Sequence, residues 1–220
     1  MTRHFIILLN LLACPFFCKT ATQKKEAIRL ANLGLWTYDS NRINPDSLTK
    51  ALYLLDSAIK IYPVPIAYVY KNQIYRAMNR PLAALHECDS VFMIDSHDYY
   101  TSLCKGFTFE SMGKTDSAFN YYRIALRNLN GAGNIAPEMA RDHERIIIAA
   151  LLKDTASFNQ LVKAFENKYR NSKGELFDMF AESIGEFTHF RRDDYVQYGG
   201  YVHRDSVQAT QVQAHSSQEK

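Results

Sequence analysis

Three stretches of this chain repeat one another at a nearly fixed period. "SLTKALYLLDSAIKIYP" (47–63), "RPLAALHECDSVFMIDS" (80–96) and "KTDSAFNYYRIALRNLN" (114–130) each carry an anchor alanine: Ala51, Ala84 and Ala118. Four positions on stand Leu55, Cys88 and Tyr122, and seven positions on Ala58, Val91 and Ala125. The anchors are spaced by 33 and then 34 residues. Spacing of i, i+4, i+7 is one face of an α-helix. A period of this length marks supersecondary units too small to bury their own apolar faces, which must therefore stack on one another. The expected class is all-α.

The residues before each anchor fall into step as well. With the anchor alanine at position 20 of a unit, Tyr68 takes position 4, Gly106 position 8, and Tyr75 and Phe109 position 11. Met78 and Met112 share position 14, and Asn79 and Gly113 position 15. This pattern resembles the tetratricopeptide repeat (TPR), a 34-residue helix–turn–helix with aromatics at 4 and 11 and small residues at 8, 20 and 27. The resemblance implies a right-handed α-solenoid of three to four helix pairs with a C-terminal capping helix. The small residues let paired helices approach closely, and the aromatics fill the space between units.

The first unit matches less well. Leu30, Leu33 and Gly34 fill positions 4, 7 and 8, and Pro63 fills position 32, but 17 positions separate Gly34 from Ala51 where the family has 12. About five extra loop residues are expected in "SNRINPD". After the Gly- and Pro-rich break "NGAGNIAP" comes a degenerate fourth unit. Its helices are "PEMARDHERIIIAALLKD" and "TASFNQLVKAFENKY", with Ser157, Leu161 and Ala164 at positions 20, 24 and 27. "GELFDMFAESIGEFTHF" sets Leu176, Phe177, Phe180, Ile184 and Phe187 on one helical face, as a cap over the last exposed core would. The units thus run over about 27–63, 65–97, 99–130 and 136–170, with the cap at 173–190, inside a helical domain 23–190. Residues 191–220 comprise the unassigned "RRDDYVQYGGYVHRD" and the polar, aperiodic "SVQATQVQAHSSQEK", whose composition predicts disorder.

"MGKTDSAF" (112–119) contains Gly-Lys-Thr, the end of a phosphate-binding loop. That loop reads G-x-x-x-x-G-K-[ST] and follows a strand. Here Thr108 occupies the first glycine's place and Gly106 is out of register, so no nucleotide is expected. In the repeat, Gly113 is the left-handed cap of one helix, and Thr115 or Asp116 starts the next.

Residues 1–22 read as a secretion signal. Arg3 precedes "FIILLNLLACPFF" (Phe5 to Phe17), a run too short to span a bilayer, and "CKTATQKKE" turns polar. "LLAC" (Leu11 to Cys14) resembles a bacterial lipobox, which implies lipidation of Cys14 and an outer-membrane lipoprotein facing the periplasm. Cleavage near Thr20 or Thr22, or an uncleaved anchor, are the alternatives, and the apolar "PFF" after Cys14 is unusual for a lipoprotein tether. Without residues 1–13 the chain keeps 25 basic against 23 acidic side chains, no field for nucleic acid. Cys18, Cys88 and Cys104 remain; Cys88 and Cys104 are either bridged in an oxidising compartment or two buried thiols.

No catalytic pattern stands out, and neither a cofactor nor a metal is expected. His4, His86, His97, His143, His189, His203 and His215 are scattered. "HECD" (86–89) points in four directions on a helix, with Cys88 at a packing position. "DHER" (142–145) and "RRDD" (191–194) read as solvated charge runs. The competing reading is an envelope enzyme with a site near 188–203, where His189, Asp194 and His203 could converge.

The resemblance itself implies a working surface. In a TPR stack the first helices line a concave groove, into which positions 2, 5, 9 and 12 point. Those positions hold Ile28, Ala31, Leu35 and Tyr38, then Ile66, Val69, Gln73 and Arg76, then Tyr100, Leu103, Phe107 and Glu110. Such a face suits a helix or extended peptide of a partner protein. In the other reading, Tyr100 and Phe107 pack under the capping helix or the tail. One TPR subclass clamps a carboxylate with paired lysines and asparagines; here only Arg76 could serve. The expected role is a protein-binding scaffold of the cell envelope.

Overall fold

The computed structural model describes residues 20–42, 44–131, 137–172 and 174–188. Among these residues there are α-helices joined by short turns and no strand. In chain order they are α1 (Ala21–Ser40), α2 (Pro45–Ile61), α3 (Pro65–Ala77), α4 (Pro81–Phe92), α5 (Tyr99–Ser111), α6 (Thr115–Gly131), α7 (Glu138–Leu151), α8 (Thr155–Tyr169) and α9 (Glu175–Thr188). The lipobox, the segment 189–203 and the tail lie outside the described residues.

Local chemistry sets the helix starts. Thr20 and Gln23 form a reciprocal capping box at α1, with Thr20 N–H donating to Gln23 Oε1 at 2.8 Å and Gln23 N–H to Thr20 Oγ1 at 3.2 Å. Proline opens α2, α3 and α4, where its missing N–H costs nothing. Asn44, Asp98 and Asp154 cap α2, α5 and α8.

Three helices end in the same turn. Asn79, Gly113 and Lys153 take φ of 54°, 71° and 58° after α3, α5 and α7. Each donates its N–H three residues back, to Arg76, Glu110 and Ala150, while the following residue donates five back, to Tyr75, Phe109 and Ala149. This is the Schellman arrangement, which satisfies carbonyls left over at a helix end. "MGKTDSAF" is such a turn, with Lys114 exposed and α6 beginning at Thr115.

Close approach follows from the small residues. A Cβ on Gly34 would sit 2.9 Å from Leu55 Cγ and 3.2 Å from the Ala51 carbonyl. On Gly106 it would sit 2.2 Å from Tyr122 Cε1, inside the ring's van der Waals surface. Equivalent ion pairs tie one pair of helices to the next. Lys71 Nζ lies 2.9 Å from Asp56 of the preceding pair and Lys105 Nζ 2.6 Å from Asp89, while Glu87, 2.9 Å from Lys71 Nζ, belongs to Lys71's own pair.

The core is handed along the chain. One cluster joins α1, α2 and α3 around Ala51 and Leu55. Val69, Cys88, Val91 and Cys104 join α3, α4 and α5. Leu103, Phe107 and Tyr122 meet Ile147, Ile148 and Leu151 of α7. Ile146, Phe158, Phe165 and Ile184 join α7, α8 and α9.

Two expectations change. The five extra residues of the first unit do not form a loop: relative to α5 and α6, α1 runs one residue further, α2 starts three earlier, and the turn 41–44 gains one. The Asn44 cap followed by Pro45 makes the earlier start favourable. In the last pair the packing positions shift by one. Phe158 and Phe165 are buried while Ser157 is half-buried and Ala164 exposed, and Phe158, not Ser157, stands five residues after the left-handed Lys153, as Ala84 and Ala118 do after Asn79 and Gly113.

Candidate functional site

Asn72 stands where the repeat calls for a small residue, and its amide makes that place a polar hub. Nδ2 lies 2.9 Å from the Ala84 carbonyl, 3.2 Å from Cys88 Sγ and 3.2 Å from Thr108 Oγ1. Oδ1 accepts from Arg76 Nε at 3.1 Å. The Arg76 guanidinium is stacked over the Phe107 ring, 5.2 Å from its centroid, an arrangement a planar cation favours. One turn earlier Gln73 Nε2 lies 3.3 Å from Tyr100 Oη, whose ring meets Tyr99 edge-on at 6.3 Å. Glu110 Oε2 accepts from Tyr122 Oη at 2.6 Å.

The structure therefore brings Val69, Gln73 and Arg76 of α3 together with Tyr100, Leu103, Phe107 and Glu110 of α5. It does not set them out as an open aromatic groove. Leu103 and Phe107 are fully buried, Phe107 against Tyr122 at 5.7 Å and both in the cluster that reaches α7. Val69 is buried beside Cys88 and Cys104. Tyr38 is buried in the α1/α2 core with the Arg42 guanidinium 5.2 Å over its ring. Of the remaining groove positions, Ala31 is buried and Leu35 half-buried, while Ile28 and Ile66 stay exposed. The apolar members are core because large side chains at these positions reach the next odd-numbered helix. What distinguishes the face is polar: Gln73 and Arg76 are only 7% and 6% exposed.

Cys88 and Cys104 are free thiols, both buried. Burial raises both, Cys104 to about 12, so neither is a thiolate near neutral pH. Burial likewise raises the Tyr100 phenol. "HECD" divides as its helix dictates, with His86 and Asp89 exposed and Cys88 buried. Glu87 is also buried, against Lys71, a pairing that the local sequence does not announce.

"DHER" is not a solvated run. Asp142 accepts from Lys168 Nζ at 2.7 Å, Tyr169 Oη at 2.9 Å and Arg145 at 2.6 Å, and hydrogen bonds from Lys168 and Tyr169 outweigh its burial to lower its pKa. His143 stacks on Phe180 of α9 at 4.5 Å, with Nε2 3.1 Å from Ser183 Oγ, and burial lowers it to about 4. Burial raises Glu144 to about 7, and its Oε2 is buried without a hydrogen-bond partner. Behind this helix an open cavity of about 370 Å³ separates α6, α7 and α8, lined by Leu126, Asn130, Arg145, Ser157, Leu161 and others.

Among the described residues no group of three or more His, Cys, Asp or Glu is placed to hold a metal ion, and no helix is long and apolar enough to cross a membrane. His189, Asp194 and His203 lie outside the described residues, as does Cys14. No protein-family model, curated protein or solved structure matches this chain.

Proposed function

We propose that this chain is an exported, lipid-anchored helical-repeat scaffold of TPR type, which holds an extended segment of a partner protein at the periplasmic face of a bacterial envelope. Three observations support the repeat reading: the Schellman turns at Asn79 and Gly113, the close approaches at Gly34 and Gly106, and the paired bridges Lys71–Asp56 and Lys105–Asp89. Each recurs at 33 or 34 residues, or at the equivalent repeat position.

The functional reading rests on one feature, the amide, phenol and guanidinium of Gln73, Tyr100 and Arg76 gathered on the α3/α5 face. An amide offers both a donor and an acceptor to a peptide backbone, and a guanidinium recognises a carboxylate. The test is capture from envelope fractions by wild-type chain and by Gln73→Ala with Tyr100→Phe. These changes leave the apolar core untouched, so the melting temperature should move by only a few degrees. Capture should fall about tenfold or more, the effect of one or two hydrogen bonds lost from a buried contact. Undiminished capture by a folded double variant counts against this face as the binding surface.

A further inference from the structure

We infer that the junction of α5 and α7, where Tyr99, Tyr100 and Glu144 come together, receives a lysine or arginine side chain of the bound partner segment. The inference rests on the reading of the α3/α5 face as a binding surface, and it extends that surface one helix further.

The first ground is an unpaired carboxylate. Glu144 Oε2 is buried with no hydrogen-bond partner. The one group near enough for an ion pair among the described residues is His143, with Nδ1 4.0 Å from Glu144 Oε1. That imidazole supplies no counter-charge near neutral pH, since burial lowers it to about 4, and its Nε2 is engaged by Ser183 Oγ. A desolvated charge without a partner weakens the fold, and a cation brought beside it offsets that cost. A fifth of the Glu144 side chain is exposed, so a group arriving from outside can reach it.

The rings are the second. Tyr99 and Tyr100 meet edge-on, with centroids 6.3 Å apart and planes at 80°. Two ring faces at right angles make two sides of a cage that attracts an ammonium or guanidinium group. The Glu144 charge acts on both phenols, adding to the rise in pKa that burial gives them. Carboxylate and rings therefore lie close together, beside the contact that Leu103 and Phe107 of α5 make with Ile147 and Ile148 of α7.

Continuity names the occupant. Tyr100 Oη is 3.3 Å from Gln73 Nε2, so one residue belongs both to the ring pair and to the face read as holding a peptide. Packed helix axes stand ~8–10 Å apart, which puts α3 and α7 about 20 Å apart across α5. An extended chain at ~3.3 Å per residue covers that in about six residues. A segment held at Gln73 thus carries its basic residue within about six positions of that point. A small free cation would gain nothing from Gln73.

Labelled peptide mixtures of about ten residues test this on the full chain by fluorescence polarisation. Each mixture fixes one position as arginine, lysine, citrulline, alanine or glutamate, at about pH 8, where Glu144 is ionised. Wild type should favour arginine or lysine over citrulline at one position by about tenfold or more, as expected of a desolvated charge pair. Glu144→Gln should lose that preference while its melting temperature holds or rises. Gln73→Ala should weaken every mixture and keep the preference. Equal binding of the arginine and citrulline mixtures by wild type overturns the inference, and so does a preference that survives Glu144→Gln. Choline that displaces the arginine mixtures and binds as tightly as they do overturns it too, making the place a site for a small free cation. Any of these alongside binding that still falls with Gln73→Ala spares the functional reading. Binding indifferent to Gln73→Ala with Tyr100→Phe removes the functional reading, whatever the preference at Glu144.

Discussion

Gly113 and Lys153 sit in the same turn with φ of 71° and 58°, yet one is glycine and the other carries a long side chain. The left-handed region costs an L-residue roughly 1–2 kcal/mol, which glycine escapes. A Cβ at Gly113 would meet nothing within 4 Å, so Gly113→Ala measures backbone preference alone and should lower stability by about 1 kcal/mol. Lys153→Gly should raise it by about 0.5–1 kcal/mol, the gain being trimmed by the larger unfolded-state entropy of glycine. Urea midpoints with unchanged slopes would establish both; shifts of the same sign would mean that the two turns are not alike. The glycine of this pair was readable in the sequence from its repeat position. Lys153 was not, because nothing in a lysine signals positive φ and the small Ser157 suits the repeat's position 20 better by size than Phe158, which packs there. Asn72 shows the complementary gap: its position was legible, but its polar partners on α4 and α5 emerge only once three helices are assembled.

Elements α1 to α5 are legible because short motifs fix their starts, by proline or a cap, and a left-handed residue fixes the finish of α3 and α5. α7 and α8 were harder. Their helices follow from periodicity, but burial there depends on side chains from α9, which a local pattern cannot supply. The charged "DHER" run is the instance. His143 and Glu144, neighbours on α7, are pushed by burial in opposite directions, to about 4 and about 7. For His143 the folded value lies below the usual 6.5, so its contribution is complete above pH 6.5 and is lost as pH falls toward 4. For Glu144 the folded value lies above the usual 4.5, so its contribution is complete below pH 4.5 and is lost as pH rises to 7. Between pH 4.5 and 6.5 the two trends oppose each other and that part of the profile should be nearly flat. Glu144→Gln removes one of them. The variant should match wild type at pH 4, exceed it at pH 8 by at most about 3 kcal/mol, and lose stability steadily between pH 6.5 and 4. A fifth of the Glu144 side chain remains exposed, which keeps the gain below that ceiling. Parallel profiles for variant and wild type would show that Glu144 ionises normally in the folded chain.

At the scale of the whole molecule, the start of α1 bears on the proposed lipid anchor. The Thr20–Gln23 capping box closes the first turn of α1, and such a cap is worth about 1 kcal/mol. Cleavage after Thr20 or Thr22 would discard the cap residue and leave a charged terminus in the first turn of α1. Processing at Cys14 leaves the box whole, with only residues 15–20 between the modified cysteine and α1. Six residues reach at most about 20 Å, so a lipid on Cys14 would hold the first helix pair close to the bilayer, with the later pairs and the α3/α5 face further out. The expected mature chain begins at a Cys14 carrying diacylglycerol and a further acyl chain, since a single chain gives only marginal attachment. Cys14→Ser has no thiol to carry the lipid and should accumulate as unprocessed precursor, losing palmitate label while its helical content stays unchanged. Intact mass of the envelope-extracted protein decides the matter: a terminus at residue 21 or 23, or a palmitate-labelled Cys14→Ser chain, would refute the anchor and free the α1 end from any fixed distance to the membrane.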